Sequence, residues 1–162
     1  MPSILYHSGA ILTMEGNDPR YAEALVVTDG VISHVGSRAG AEELRPVRSV
    51  DLAGKALLPG FIDAHGHPQS ALALIDALVN RTSGSGAVHA PEQAVSVYEA
   101  LRSITTTAAY QNFEDDQKGT LSVGKRADLV ILDRDPLAVN PAELLLLRVV
   151  ETIKDGRTIF AA

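Results

Sequence analysis

Asp63, His65 and His67 are the residues whose types and spacing could do chemistry in this chain. They sit in Leu58-Pro59-Gly60-Phe61-Ile62-Asp63-Ala64-His65-Gly66-His67-Pro68. If Phe61 to His67 is extended, side chains alternate, so these three project to one face while Ile62, Ala64 and Gly66 point to the other. Two imidazoles at i, i+2 can hold one divalent metal, and zinc, nickel, iron and manganese all accept histidine nitrogen. A catalytic centre needs a third protein ligand and an open position for water. The elements around the motif must therefore bring more ligands to it.

The material for those elements is that of a soluble domain. The chain has 162 residues, 46% of them hydrophobic, with a net charge of −6. That length and apolar content suit one core. The acidic balance and the lack of a dense Lys/Arg cluster argue against a nucleic-acid surface. With no cysteine, disulfides and thiolate metal sites are excluded. The start, Met1-Pro2-Ser3-Ile4-Leu5-Tyr6, has neither a basic segment nor an apolar run of signal-peptide length, and no stretch reaches the roughly 20 apolar residues of a membrane span. These features predict a cytoplasmic protein.

Taken in order, Ile4–Tyr6 and Ala10–Met14 read as two strands around His7-Ser8-Gly9, or as one bulged strand. His7 reads as a strand or turn residue facing solvent. Ala22–Thr28, Asp29-Gly30 and Val31–Val35 form a hairpin with a two-residue turn, and His34 reads as a strand histidine. Ala41–Arg45 predicts a short helix stopped by Pro46. Val47–Leu52 and Lys55–Leu58 return to strand around Ala53-Gly54. Ser70–Asn80 predicts an apolar helix on Leu72, Ile75, Leu78 and Val79. Asp76 lies inside that pattern, as a helix residue rather than a ligand. Arg81–Ala90 reads as a flexible loop carrying His89 on its surface. Ser96 and Glu99 have capping-box spacing, opening a helix that runs to about Tyr110. Lys125 reads as a solvated turn residue, and Asp133 and Asp135 as an exposed charged turn. Pro141 starts a short helix, and Asp155-Gly156 repeats the hairpin device.

Pro59 to His67 resembles the signature that opens the barrel of the amidohydrolase superfamily, metal-dependent hydrolases of non-peptide carbon–nitrogen bonds. A second match lies at Ser96-Val97-Tyr98-Glu99-Ala100-Leu101-Arg102, Thr107-Ala108-Ala109-Tyr110 and Lys118 to Asp133, which resembles the family's closing segment. The branch most resembled is that of the N-substituted formamide deformylases. Relatives complete the metal site with residues on later strands: an acidic bridge or carboxylated lysine, two more histidines and an aspartate. A (β/α)8 barrel takes about 250 residues, more than this whole chain. By the resemblance, the sequence jumps near Pro68-Gln69-Ser70 from the first barrel strand to just beyond the eighth.

The resemblance implies a mainly β fold with α: a composite β-sandwich made from residues 1–58 and 127–162, plus a remnant barrel strand and helices in 59–126. A host sandwich freed of its inserted barrel would have its closure cost lowered by roughly 1–3 kcal/mol. Helices that would pack on the barrel wall need other cover, on the sheet, on each other or on another chain. Self-association through exposed helix faces is therefore expected. The resemblance further implies His65 and His67 as ligands of a divalent metal, zinc first, and Asp63 as an orienting carboxylate behind one of them. The implied substrate is a small amide-like molecule attacked by activated water. The alternative is a catalytically incompetent, internally deleted remnant that folds as a β-sandwich or interaction module.

Overall fold

The computed structural model describes residues 3–63, 71–83 and 85–162. Eight strands form one hydrogen-bonded sheet in the order β3-β2-β1-β5-β6-β7-β8, with β4 beside β1. Strands β1 (Ser3–Leu12), β2 (Tyr21–Thr28) and β3 (Val31–Gly36) make an antiparallel meander. Strands β6 (Leu129–Leu132), β7 (Val149–Lys154) and β8 (Arg157–Ala161) make another. The short β4 (Arg48–Asp51) and β5 (Ala56–Pro59) join them through β1.

The joint is the bulge that the sequence left as one of two alternatives. The strand β1 is continuous, with Ser8 at φ 59° and a register shift between His7 and Ile11. Before the bulge β1 pairs in parallel with β4, and after it with β5. Gly9 fits only as glycine, because a Cβ there would collide with the Lys55 carbonyl oxygen and the Leu52 side chain.

Both central strands are apolar throughout, as strands covered on two faces must be. With alternation, Ala56, Leu58, Val130 and Leu132 enter one core, while Leu57, Leu129 and Ile131 enter the other. The second core also takes Leu25 and Ile32 from β2 and β3, and Ile153 from β7. Residues from both ends of the strand order share it, so the sheet curls over itself. The sandwich expected from the sequence is thus one continuous sheet.

The first core is roofed by helices. In α2 (Ala71–Asn80) Leu72 and Ile75 are buried, and Leu78 and Val79 pack beside them. In α3 (Val97–Ser103) Tyr98, Ala100 and Leu101 are buried in the same cluster. The apolar helix faces find their cover on the small sheet and on each other. Helix α1 (Arg38–Glu43), capped by Ser37, covers Leu5, Ala24 and Val26 with Ala41.

Four expectations are corrected. The first helix begins at Arg38 rather than Ala41, because the Ser37 hydroxyl accepts from Gly40 N–H and supplies a start signal upstream. The helix expected from Ser96 to Tyr110 is two, α3 and α4 (Thr106–Gln111). Ile104 to Thr107 is a β-branched run, and Thr105 Oγ1 donates to the Leu101 carbonyl at 2.7 Å, drawing that acceptor away from the helix ladder. The loop Arg81–Ala90 is tied by a bridge between Thr82 and Val88. His7 is buried, not solvent-facing, with Nδ1 2.7 Å from Ser8 Oγ and Nε2 2.7 Å from Ser49 Oγ. Those hydroxyls satisfy the ring inside the sheet. Among the described residues, no helix is long and apolar enough to cross a membrane.

Candidate functional site

The chain enters the Asp63-His65-His67 motif through a pinned lead. Strand β5 ends at Pro59, and Gly60 N–H then donates to the Asp128 carbonyl at 2.8 Å. The Phe61 side chain packs against the helix-covered core. Ile62 N–H donates to the Ile104 carbonyl at 2.8 Å. That acceptor is available because α3 stops at Ser103, leaving Ile104 as the C-cap with its carbonyl outside the helical ladder. The helix break and the motif lead are therefore one device: Thr105 ends α3, and the carbonyl left outside the helical ladder catches Ile62.

Residues 61–63 are in no strand. In its described part the Phe61–His67 segment pairs with no strand, and Ile62 bonds a helix end instead. Asp63 is exposed. His65 and His67 lie outside the described residues, and the shared face expected of the three side chains lies there with them.

The other titratable groups weighed from the sequence are engaged elsewhere. Asp76 accepts from Asn80 Nδ2 at 2.7 Å, one helical turn on. His34 Nε2 lies 3.1 Å from the Ser37 carbonyl. His89 is exposed, and its backbone pairs with Arg81. Lys125 is no solvated turn residue: Nζ donates to the carbonyls of Asp115 at 2.6 Å and Lys118 at 2.9 Å, and burial pulls its pKa below the usual lysine range. Asp133 accepts from Arg148 N–H, and Asp135 accepts from Leu137 N–H and from the Tyr21 hydroxyl. Both carboxylates are turn braces. Burial, and then the bond to Asp135, raise the Tyr21 phenol.

Among the described residues, no group of three or more His, Asp or Glu side chains could hold a metal. Two imidazoles with a nearby carboxylate suit a divalent ion chemically, but they fill two coordination positions where a catalytic centre takes at least three protein ligands. Sequence reading missed what lies beside the lead. A cavity of about 260 Å³ opens between Gly60–Ile62 and the β6–β8 meander, lined in part by Lys118, Arg126 and Lys154. The nearest sequence signal was the run of turns from Lys118 to Lys125.

The profile of the amidohydrolase family matches residues 68–160. The N-substituted formamide deformylase of Arthrobacter pascens is 40% identical over 78 residues, covering 48% of this chain and 14% of that protein. A 5-methylthioadenosine/S-adenosylhomocysteine deaminase of Pelotomaculum thermopropionicum is 38% identical over 69 residues, 41% of this chain and 16% of that one. The chain thus spans less than a fifth of the length of these relatives. In fold it resembles a crystal structure of an adenosine deaminase from Xanthomonas campestris with bound zinc, at TM-score 0.67 and 11% identity, covering 98% of this chain and 93% of that one.

Proposed function

Because the chain belongs to the amidohydrolase family, we propose that it records a metal-dependent hydrolase of carbon–nitrogen bonds other than peptide bonds, with a small amide-like substrate. The observation that supports this reading is the pinned lead. Gly60 and Ile62 are each held by a backbone hydrogen bond of 2.8 Å, so the chain reaches Asp63 from a fixed base on the sheet and the helix break. A metal motif needs such a base, because ligands must be held to a few tenths of an ångström.

We assign His65 and His67 as two ligands of a divalent metal, zinc first. Asp63 is the carboxylate that accepts from the second nitrogen of one imidazole and sets its tautomer. A bound ion supplies Lewis acidity toward water and an amide carbonyl. The remaining ligands come from a second subunit or from residues beyond this chain.

A second reading is favoured by the closed core. Leu72, Ile75 and Leu101 are buried against Leu58 and Leu132, so the helices that a barrel wall would cover are covered by the sheet. On this reading residues 1–58 and 127–162 are the host sandwich, 59–126 is what remains of the barrel, and the chain alone is catalytically incompetent.

Metal content per chain separates the two, measured by elemental analysis of protein purified without chelator beside the His65→Ala/His67→Ala double variant. Near-stoichiometric metal that disappears in the variant supports the first, and hydrolysis of N-formyl or N-acyl substrates abolished by His65→Ala would then establish it. Equal metal in both proteins supports the second.

A further inference from the structure

The cavity beside Gly60–Ile62 has two unlike walls. One carries Lys118, Arg126 and Lys154 with a single carboxylate, Asp128. The other is apolar, built from Phe61, Ile62 and Ile159 over the buried Ile153. Three cations to one anion is a local reversal in a chain of net charge −6.

The carboxylates that answer these cations are outside the lining. Lys118 Nζ bonds both oxygens of Glu114 at 3.0 Å, which leaves one ammonium donor over. Arg126 Nη1 reaches Asp155 only at 3.6 Å, with both side chains about half exposed, so its guanidinium keeps donors for another partner. Lys154 makes no side-chain hydrogen bond or ion pair among the described residues. Asp128, the one anion of the wall, already accepts from Asp155 N–H at 2.8 Å.

We propose that this cavity binds a small organic carboxylate with an apolar body, of the aromatic-acid or branched short-chain-acid class. The carboxylate would take charge-assisted bonds from Arg126 and Lys154, and the body would lie on Ile62, Ile159 and Phe61. A volume near the lower end of small-molecule pockets limits the ligand to fragment size. Asp128 disfavours a dianion, and the apolar wall disfavours an inorganic ion, since neither gains from both walls. The proposal does not rest on the function proposed above.

The test is a titration of the whole chain with benzoate, its neutral isostere benzamide, and inorganic phosphate, following the backbone amides of Thr152, Ile153 and Ile159 by NMR. Benzoate is expected to shift these amides saturably, with benzamide and phosphate binding at least tenfold more weakly. Lys154→Met, at an exposed strand end, should weaken benzoate about tenfold without changing the melting temperature, the loss of one charge-assisted bond. Arg126→Gln should do the same. Benzoate shifts that do not saturate, equal binding of benzamide or phosphate, or indifference to Lys154→Met would each overturn the proposal.

Discussion

Tyr6 shows how one residue writes pH dependence into the fold. It is buried on β1 in the core beneath the curled sheet. Burial, reinforced by the Glu151 carboxylate and opposed by Arg48, pushes its phenol up to about 12 from 10.0. Below pH 10 neither the folded nor the unfolded chain gives up this proton, and the contribution to stability is complete. Between pH 10 and about 12 the unfolded chain alone releases it, so stability falls as pH rises, by about 2–3 kcal/mol for this group. Urea midpoints measured from pH 9 to 12 should decline, and Tyr6→Phe should flatten part of the decline. Tyr21 and Tyr98, whose phenols burial also raises, keep the rest. A Tyr6→Phe profile parallel to that of the parent would show the phenol to be solvated.

At the scale of elements, two hairpins depend on each other. Asp29 and Gly30 turn at φ 55° and 81°, Asp155 and Gly156 at φ 48° and 72°, the pattern of primed turns. The turns abut. A Cβ on Gly30 would lie 2.7 Å from the Asp155 carbonyl oxygen, and one on Gly156 would lie 3.0 Å from Gly30 Cα. Ala127 links them, donating to the Gly30 carbonyl at 2.8 Å and accepting from Gly156 N–H at 3.0 Å. Gly30→Ala should therefore cost more than an isolated turn glycine, about 1–3 kcal/mol from positive φ and the backbone clash together. Because the two sites touch, Gly30→Ala/Gly156→Ala should depart from the sum of the singles in urea denaturation. Simple additivity would mean that the turns do not meet in solution.

For the molecule as a whole, the central question is whether the helices belong to the fold or merely trail from it. Leu101 is fully buried on α3, in one cluster with Leu58 and Leu132 of the sheet and Ile75 of α2. If sheet and helices are one cooperative body, Leu101→Ala should cost about 2–5 kcal/mol and lower the single unfolding transition seen by both far-UV circular dichroism and tyrosine fluorescence. Helical signal lost before the β signal would instead place α2 and α3 outside the cooperative core. The same packing covers Leu72, Ile75 and Leu101 within the chain and leaves Leu74 of α2 and Tyr110 of α4 exposed.

Features governed by neighbouring residues were legible in the sequence. Asp-Gly dipeptides between β-branched runs marked both hairpins because the turn needs two positive φ angles. Ser96 and Glu99 marked the start of α3 because the capping box closes within four residues, and both of its bonds are present. The run Lys55–Leu58 after the Ala53-Gly54 turn marked the strand β5. The amidohydrolase family was legible in the same way, from the wording of two short segments.

What the tertiary structure decided were meetings between distant residues, whose energies no local pattern contains. The change of partner along β1 depends on Lys55 and Leu52 reaching Gly9. His7 is buried because Ser49 arrives beside it from β4. The break after Ser103 reflects a buried threonine competing for a helical carbonyl, and only in three dimensions does that break catch Ile62. The cavity exists because Phe61 and Ile62, the Lys118–Arg126 turns and the β7–β8 hairpin converge from three parts of the chain. Local conformational preference is written residue by residue, whereas long-range register and packing come into being only when the sheet curls and its ends share a core.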